Sequence, residues 1–151
     1  MNLYQENLFD LAKREICIVS GELETRSWDD PDAYLTALTI ALNRGVEVKI
    51  ICGPKIDGDS ALLSYLKEEP RVQLYKLPSR PEKHYSMRDV DDKGSGVLIK
   101  EDRHEPFEMP KNIYYSILPR MMIEYFEKFR SLVAEATKTK IEDFEVFSKS
   151  L

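Results

Sequence analysis

The segment HYSMRDVD (84 to 91) carries the side chains with the clearest potential for chemistry. It favours an extended conformation, and side chains of a strand alternate between two faces, so His84, Ser86 and Arg88 share one face. An imidazole, a hydroxyl and a guanidinium on one face form a plausible anion site. Asp91 follows at a turn. The opposing interpretation is the solvent-facing side of an ordinary hairpin, and the pattern alone does not separate the two.

Three further polar residues are candidates for the same site. Arg103 and His104 follow the predicted return strand GVLIK (96 to 100), and Glu22 lies just past the end of the first predicted strand. Ligands of open α/β sheets bind at the carboxyl ends of strands, which is where these residues are expected. Solvated surface positions are the alternative for Glu22 and His104.

Metal and cofactor signatures are absent from the sequence. It contains no glycine-rich phosphate loop, no Cys/His cluster with metal-ligand spacing and no nucleophile elbow. Asp89, Asp91 and Asp92 flank a glycine turn and alternate faces, a pattern more typical of turn formation than of metal ligation. We therefore expect no metal and no cofactor.

The positioning elements begin with a strand-helix-strand unit. ICIVS (16 to 20) and VEVKIICG (46 to 53) are short β-branched runs typical of strands buried on both faces. Between them, Asp30 and Pro31 predict a helix start and Gly45 a helix stop. Such a crossover predicts parallel pairing with a right-handed connection.

The remaining segments extend this unit into a mixed, mostly parallel sheet flanked by helices, an α/β fold. The pattern predicts helices at 3 to 14, at 57 to 69 and, as a long apolar stripe, at about 111 to 136, with Pro119 kinking or splitting the last. It predicts strands at 71 to 77, 84 to 91 and 96 to 100. The tail 137 to 151 is expected to be loosely held.

Length and composition limit the classes of protein to which this chain can belong. The chain has 151 residues, of which 42% are hydrophobic and 32% charged, so residues 1–151 are predicted to form one globular domain. No run is long and apolar enough to span a membrane, and no signal-peptide pattern is present. Cys17 and Cys52 both lie inside apolar runs, as buried thiols do. We expect a reducing, cytoplasmic location.

Charge restricts the possible partners. The net charge is -5, which makes nucleic acid a less favoured partner. Residues 71 to 100, however, hold 7 basic and 4 acidic side chains. This local excess favours a small phosphorylated ligand, with scattered solvated lysines as the alternative.

The chain resembles the phospholipase D superfamily in layout and in one motif. The similarity lies in AKREICIVS, in ALNRGVEVKIICGPK, in a His-led strand closing at Asp, and in the helical FEKFRSLVAEATK. The catalytic signature of that family is HxKxxxxD. In this chain His84 and Asp91 are in register with it, whereas Ser86 occupies the lysine position.

The resemblance implies phosphodiester chemistry in which a histidine attacks phosphorus and lysines neutralise the phosphoryl oxygens. A chain with one motif supplies the second by two-fold dimerisation, so a homodimer is expected. Two departures matter. Ser86 removes a cation from the site, and the GSxN segment expected after the hairpin is absent, since the chain reads EDRHEP at 101 to 106.

These observations lead to one main hypothesis and two alternatives. The main hypothesis is a phospholipase D-like domain with a degenerate catalytic motif that acts as a phosphate-ligand binding or regulatory module. The first alternative is an active homodimeric phosphodiesterase or nuclease that uses His84 with Arg88 in place of the lysine. The second is a protein-interaction module that uses the aromatic C-terminal helix and no ligand.

Overall fold

The central unit of the fold is the predicted strand-helix-strand crossover. The computed structural model describes residues 8–21, 30–58, 61–91, 93–101 and 113–147. Strand β1 (Glu15–Ser20) is followed by helix α1 (Pro31–Asn43) and strand β2 (Glu47–Cys52), and β1 and β2 pair in parallel. The Asp30 side chain caps α1 by accepting a hydrogen bond from the backbone N–H of Ala33 at 3.1 Å.

The described chain continues through seven strands and two helices. In chain order these are β3 (Lys55–Asp57), α2 (Ala61–Glu68), β4 (Val72–Lys76), β5 (His84–Arg88), β6 (Val97–Glu101), β7 (Ile113–Ser116), α3 (Pro119–Glu135), β8 (Thr137–Thr139) and β9 (Glu145–Phe147). Seven strands form one sheet in the order β7-β6-β5-β1-β2-β4-β8, and β3 pairs with β9. β1, β2 and β4 are parallel, and β5, β6, β7 and β8 join antiparallel. The expected α/β class with a mixed sheet and flanking helices is confirmed.

The sheet has a buried core on each face because the side chains of its strands alternate. On the first face, Ile16 and Ile50 pack in one cluster with Leu38 of α1 and Leu62 of α2. On the second face, a separate cluster contains the strand residues Cys17, Val19, Tyr85 and Met87 and the α3 residues Met122, Tyr125 and Phe129. Consecutive residues of a central strand therefore serve different cores, which matters for β5 below.

The predicted helix at 111 to 136 is wrong at its start. Residues Ile113–Ser116 form the edge strand β7, and α3 begins only at Pro119. Proline lacks an N–H and disfavours the helical conformation in the residue before it, so a helix starts at Pro119 more readily than it runs through it. The segment IYYS is also rich in the β-branched and aromatic residues that favour strands.

The expectation of a loosely held tail is also wrong for residues 137 to 147. Strand β8 pairs with β4, and β9 pairs with β3. Between them lies a 3₁₀ turn (Ile141–Asp143), and Ile141 and Phe144 are buried in the first-face core. Two apolar side chains within a charged segment anchor this tail. Residues 148 to 151 lie outside the described ranges.

Two smaller differences concern segment ends. The N-terminal prediction, 3 to 14, falls partly outside the described residues. Within them, only Leu8 and Phe9 are helical and the following residues form turns. Asp57, where the helix predicted at 57 to 69 was expected to begin, instead ends β3 and is fully buried. Within the described ranges, every helix falls short of the length and apolar character that a membrane crossing demands.

Candidate functional site

His84 lies at the carboxyl end of the parallel strands. It is the first residue of β5, which pairs antiparallel with β1 so that Val19 is opposite Tyr85. His84 is therefore next to the end of β1, where Gly21 follows Ser20. The His84 side chain is only 4% exposed, and its Nδ1 accepts a hydrogen bond from the backbone N–H of Gly21 at 3.2 Å.

The side chain of Arg80 also reaches the His84 imidazole. The Nη2 atom of Arg80, in the loop before β5, lies 3.1 Å from His84 Nε2. Sequence reasoning counted Arg80 only within a basic excess and did not assign it to the site. No spacing pattern pointed to Arg80, because it lies in a loop and not on the face of a strand.

Two glycines permit this close arrangement. A Cβ atom on Gly21 would lie 2.5 Å from Arg80 Nε and 2.7 Å from His84 Cε1. A Cβ atom on Gly53, just past β2, would lie 2.6 Å from the Gly21 carbonyl oxygen, which accepts the Gly53 N–H at 3.0 Å. Only glycine fits at either position without displacing its neighbours.

The hydrogen bond from Gly21 determines what the imidazole offers to a ligand. A backbone N–H can only donate, so His84 Nδ1 holds its lone pair. In the neutral ring the single proton is then on Nε2. Arg80 Nη2 can only donate, so its 3.1 Å contact with Nε2 is a hydrogen bond only in the other tautomer; with the proton on Nε2 the contact joins two donors, and an acceptor oxygen beside both would satisfy them.

The structure does not bring Arg88 to this site. His84, Ser86 and Arg88 share the first face, as the alternation predicts, because Ser86 is opposite Ile18 and Arg88 is opposite Ile16. Arg88, however, lies at the other end of β5, about 13 Å of strand away from His84. The expectation that the three side chains form one anion site is wrong for Arg88, because four residues of extended chain separate it from His84. Arg88 Nη1 instead lies 3.4 Å from Asp89 Oδ2.

Asp91 also lies beyond the far end of β5. Its carboxylate accepts hydrogen bonds from the backbone N–H groups of Lys93 at 2.9 Å and Ser95 at 3.1 Å. Hydrogen bonding from Ser95, through side chain and backbone, lowers the pKa of Asp91. In this structure Asp91 closes the turn between β5 and β6, at the end of β5 opposite His84.

Asp89 joins β5 to the segment before β1. Its carboxylate accepts the backbone N–H groups of Lys13 at 3.0 Å, Arg14 at 2.7 Å and Glu15 at 3.1 Å. Desolvation alone would raise the pKa of Asp89, but these three hydrogen bonds, with the charge of Arg88, lower it overall. Asp89 also adopts a positive φ of 54°, a conformation that Asp tolerates better than most residues.

The other expected site residues lie outside the described ranges. These are Glu22, Arg103 and His104. The backbone of β6 does run toward His84, since Glu101 is its direct partner on the neighbouring strand. Among the residues that the structure describes, no three His, Cys, Asp or Glu side chains converge as metal ligands would.

Comparison with known proteins places the fold. No protein-family model and no curated protein sequence matches the chain. Among solved structures, Nuc from Salmonella typhimurium, a phospholipase D family member, is 17% identical, with a TM-score of 0.60 over 91% of this chain and 90% of its own. The chain has a phospholipase D-like fold.

Two further structures share this fold and are larger. TrmBL2, an archaeal chromatin protein whose structure shows a novel mode of DNA binding, is 16% identical, with a TM-score of 0.59 over 91% of this chain. This chain spans 50% of TrmBL2. Polyphosphate kinase from Porphyromonas gingivalis is 12% identical, with a TM-score of 0.55 over 97% of this chain and 22% of its own.

We predict that Asp89→Asn destabilises the domain in a pH-dependent way. The lowered folded-state pKa means that Asp89 contributes stability above its unfolded pKa of about 3.9, and that this contribution is lost as pH falls through the folded value. The substitution should lower the free energy of unfolding at pH 7 by about 1 to 3 kcal/mol. Urea unfolding at pH 7 and in acid measures it, with the exposed Asp10→Asn as control. The prediction would be wrong if Asp89→Asn lowered the free energy of unfolding by the same amount in acid as at pH 7.

Proposed function

We propose that this phospholipase D-like domain has a degenerate catalytic motif and serves, in the cytoplasm, as a phosphate-ligand binding or regulatory module. The observation that carries the proposal is the pair of donors formed by His84 Nε2 and Arg80 Nη2, 3.1 Å apart at the carboxyl end of the parallel strands. A phosphoryl oxygen is the acceptor that such a pair suits best, because an anion also neutralises the guanidinium.

The same geometry argues against hydrolysis. Attack on phosphorus needs a lone pair on the imidazole nitrogen that faces the substrate, whereas the Gly21 hydrogen bond directs the lone pair of the neutral ring to Nδ1. Ser86 stands at the lysine position and carries no charge. The Arg80 guanidinium supplies a cation for binding, but binding of the ground state does not by itself accelerate a reaction.

The ligand we favour is small. Within the described ranges the site consists of one imidazole and one guanidinium, and the chain as a whole carries a net charge of -5. Extended nucleic acid is bound through many phosphate contacts on a basic surface. The DNA binding named for TrmBL2 belongs to a chain of which this domain spans only 50%, and we do not extend it to this domain.

One premise of the active-phosphodiesterase alternative does not agree with the geometry. That alternative needs Arg88 beside His84, and the register of β5 places Arg88 at the opposite end, next to Asp89. Among the residues that the structure describes, Arg80 is the arginine that lies at His84. An active enzyme would therefore have to use Arg80 in place of the motif lysine.

An exposed apolar cluster supports homodimer formation, and it is also the feature that favours an interaction module. Tyr115, Ile117, Leu118 and Ile123 are between 42% and 62% exposed. They surround the junction of β7 and α3, and among the described strands β7 is an edge of the sheet. A second copy is the partner we propose, because an edge strand can pair with its own copy about a two-fold axis.

This cluster lies at the end of the sheet opposite His84. Ser116 is the partner of Leu98, and Val97 is the partner of Arg88, so Ile117 and Leu118 continue toward the Arg88 end. A dimer formed through the cluster would keep the two His84 side chains apart. It would therefore suit a binding module better than a catalytic site built from two motifs.

We predict that small phosphorylated ligands bind and that Arg80→Gln weakens this binding. Loss of one charge-assisted hydrogen bond should cost about 1.5 to 3 kcal/mol, or roughly tenfold to a hundredfold in affinity. Calorimetric titration of nucleotides, sugar phosphates and short oligonucleotides measures it. Arg88→Gln is the matched control, because it removes a guanidinium from the other end of the same strand.

Two results would overturn the anion site. One is the absence of any binding tighter than millimolar, and the other is an affinity that Arg80→Gln leaves unchanged. Binding should also weaken as salt is added, because the ligand and the guanidinium carry opposite charges.

We predict no detectable hydrolysis of bis-p-nitrophenyl phosphate. Loss of a donor aimed at the transition state costs about 3 to 4 kcal/mol, or roughly a hundredfold to a thousandfold in rate. Ser86→Lys should restore little, because the GSxN segment is absent too. Turnover by the wild-type chain that disappears in His84→Ala would refute the degenerate-motif proposal and support the active-enzyme alternative.

We predict a homodimer in solution. Sedimentation equilibrium at micromolar concentration should return twice the chain mass of 17.6 kDa. Ile117→Glu combined with Leu118→Glu should give a monomer, because burying these charges at an interface is unfavourable. Ile40→Glu, at a residue 49% exposed on α1, is the matched control. A wild-type monomer would contradict the prediction.

A further inference from the structure

The first face of the sheet is accessible to solvent beside His84. Ile18 of β1 and Ser86 of β5 are direct partners on two inner strands, and both are half-buried. Ser20 follows Val19, so it is level with His84, and it is half-buried as well. A side chain on an inner strand keeps solvent access where the layer that covers the sheet is incomplete. We call these three residues, Ser20, Ile18 and Ser86, the serine patch.

The apolar side chains around the serine patch are covered. Ile16, the next first-face residue of β1, is 0% exposed. Across β5, Ile99 is the direct partner of Ser86 on β6 and is 5% exposed, and Val97 is 4% exposed. The solvent access at Ile18 and Ser86 is therefore local, and it adjoins the proposed anion site.

The serine patch combines hydroxyl groups with carbon surface and carries no charge. The hydroxyl of Ser86 can donate one hydrogen bond and accept two. Ile18 lies between the two serines and offers an aliphatic surface. A neutral group with both hydroxyls and C–H surface matches these side chains, and a sugar ring is such a group.

The charges further along β5 favour a ligand with one phosphate. Arg88 is the next first-face residue of β5 after Ser86, and its Nη1 atom lies 3.4 Å from Asp89 Oδ2. The carboxylate already compensates this guanidinium, so a second phosphate reaching that end of the strand would gain little attraction. An extended polyphosphate therefore fits this face less well than a phosphate monoester with a neutral body.

We propose that the ligand of this domain is a sugar monophosphate, with its phosphate at His84 and Arg80 and its sugar ring over Ser86 and Ile18. The inference rests on the proposed function, because the phosphate anchors the ligand. Two residues of strand, about 6.6 Å, separate His84 from Ser86, a length that a phosphate and its attached ring can span. Ser86 is then a specificity-determining residue, because its short side chain leaves room for the ring and its hydroxyl bonds to a sugar hydroxyl.

A comparison of three phosphate compounds tests the sugar site. Inorganic phosphate measures the anchor alone, phenyl phosphate adds a ring without hydroxyls, and glucose 6-phosphate and ribose 5-phosphate add a sugar. In calorimetric titrations, the better of the two sugar phosphates should bind about tenfold more tightly than inorganic phosphate. Phenyl phosphate should gain less than about threefold, because it offers no hydroxyl to Ser86.

Ser86→Ala should reduce the preference for sugar phosphate over inorganic phosphate by about threefold to tenfold, because one hydrogen bond is lost. Ser86→Leu should remove the preference, because the larger side chain occupies the place of the ring. Ser131→Ala is the matched control, since it removes an exposed serine hydroxyl from α3 on the other face. It should leave the preference unchanged. The Tm of each variant shows that the fold is retained.

The failure of this inference is distinguishable from the failure of the proposed function. If inorganic phosphate binds as tightly as both sugar phosphates, or if Ser86→Ala keeps the full preference, the sugar site is wrong and the anion site stands. AMP binding more tightly than both sugar phosphates would also overturn the sugar site and indicate a nucleotide. If none of these phosphate compounds binds, the proposed function is wrong, and this inference is wrong with it.

Discussion

The register between β1 and β5 is the constraint on which the candidate site depends. β1 pairs in parallel with β2 on one side and antiparallel with β5 on the other, with Val19 opposite Tyr85. This register places the His84 imidazole at the end of β1, where Gly21 donates to it. At the other end, the Asp89 carboxylate binds three backbone N–H groups of the segment entering β1. A slip of one residue would exchange the faces of His84 and Tyr85 and break both contacts.

The parts of the fold that were predictable are those that local sequence determines. Buried parallel strands appear as continuous β-branched runs, and α1 has both a capping aspartate and an N-terminal proline, so β1, α1 and β2 were recognisable. The strand Ile113–Ser116 and the pairing of the tail depend on distant partners. A charged tail with two apolar side chains gives little local signal, because its order comes from the core that Ile141 and Phe144 enter.

The candidate site was predictable only in part, for the same reason. The alternation of a strand was enough to place His84, Ser86 and Arg88 on one face. Spacing along the strand should also have excluded Arg88, because a four-residue separation moves it to the far end of β5. Arg80 was missed because a loop residue is positioned by what it packs against, here the glycines that end β1 and β2. Such a contact leaves no periodic pattern in the sequence.

Adjacent residues of β5 thus face two different chemical environments. The His84 ring lies at an edge shared with Arg80, and Tyr85 packs in the second-face core against Tyr125. The backbone between them is held in a central strand with partners on both sides. Such a strand moves as a unit, so a change at one residue is passed to the other only through a shift of the whole strand against β1 or β6. The close contact at Gly21 resists that shift, because the glycine already meets its neighbours without a side chain. The arrangement therefore holds the His84 imidazole on a rigid support, because its neighbour Tyr85 is fixed in the second-face core.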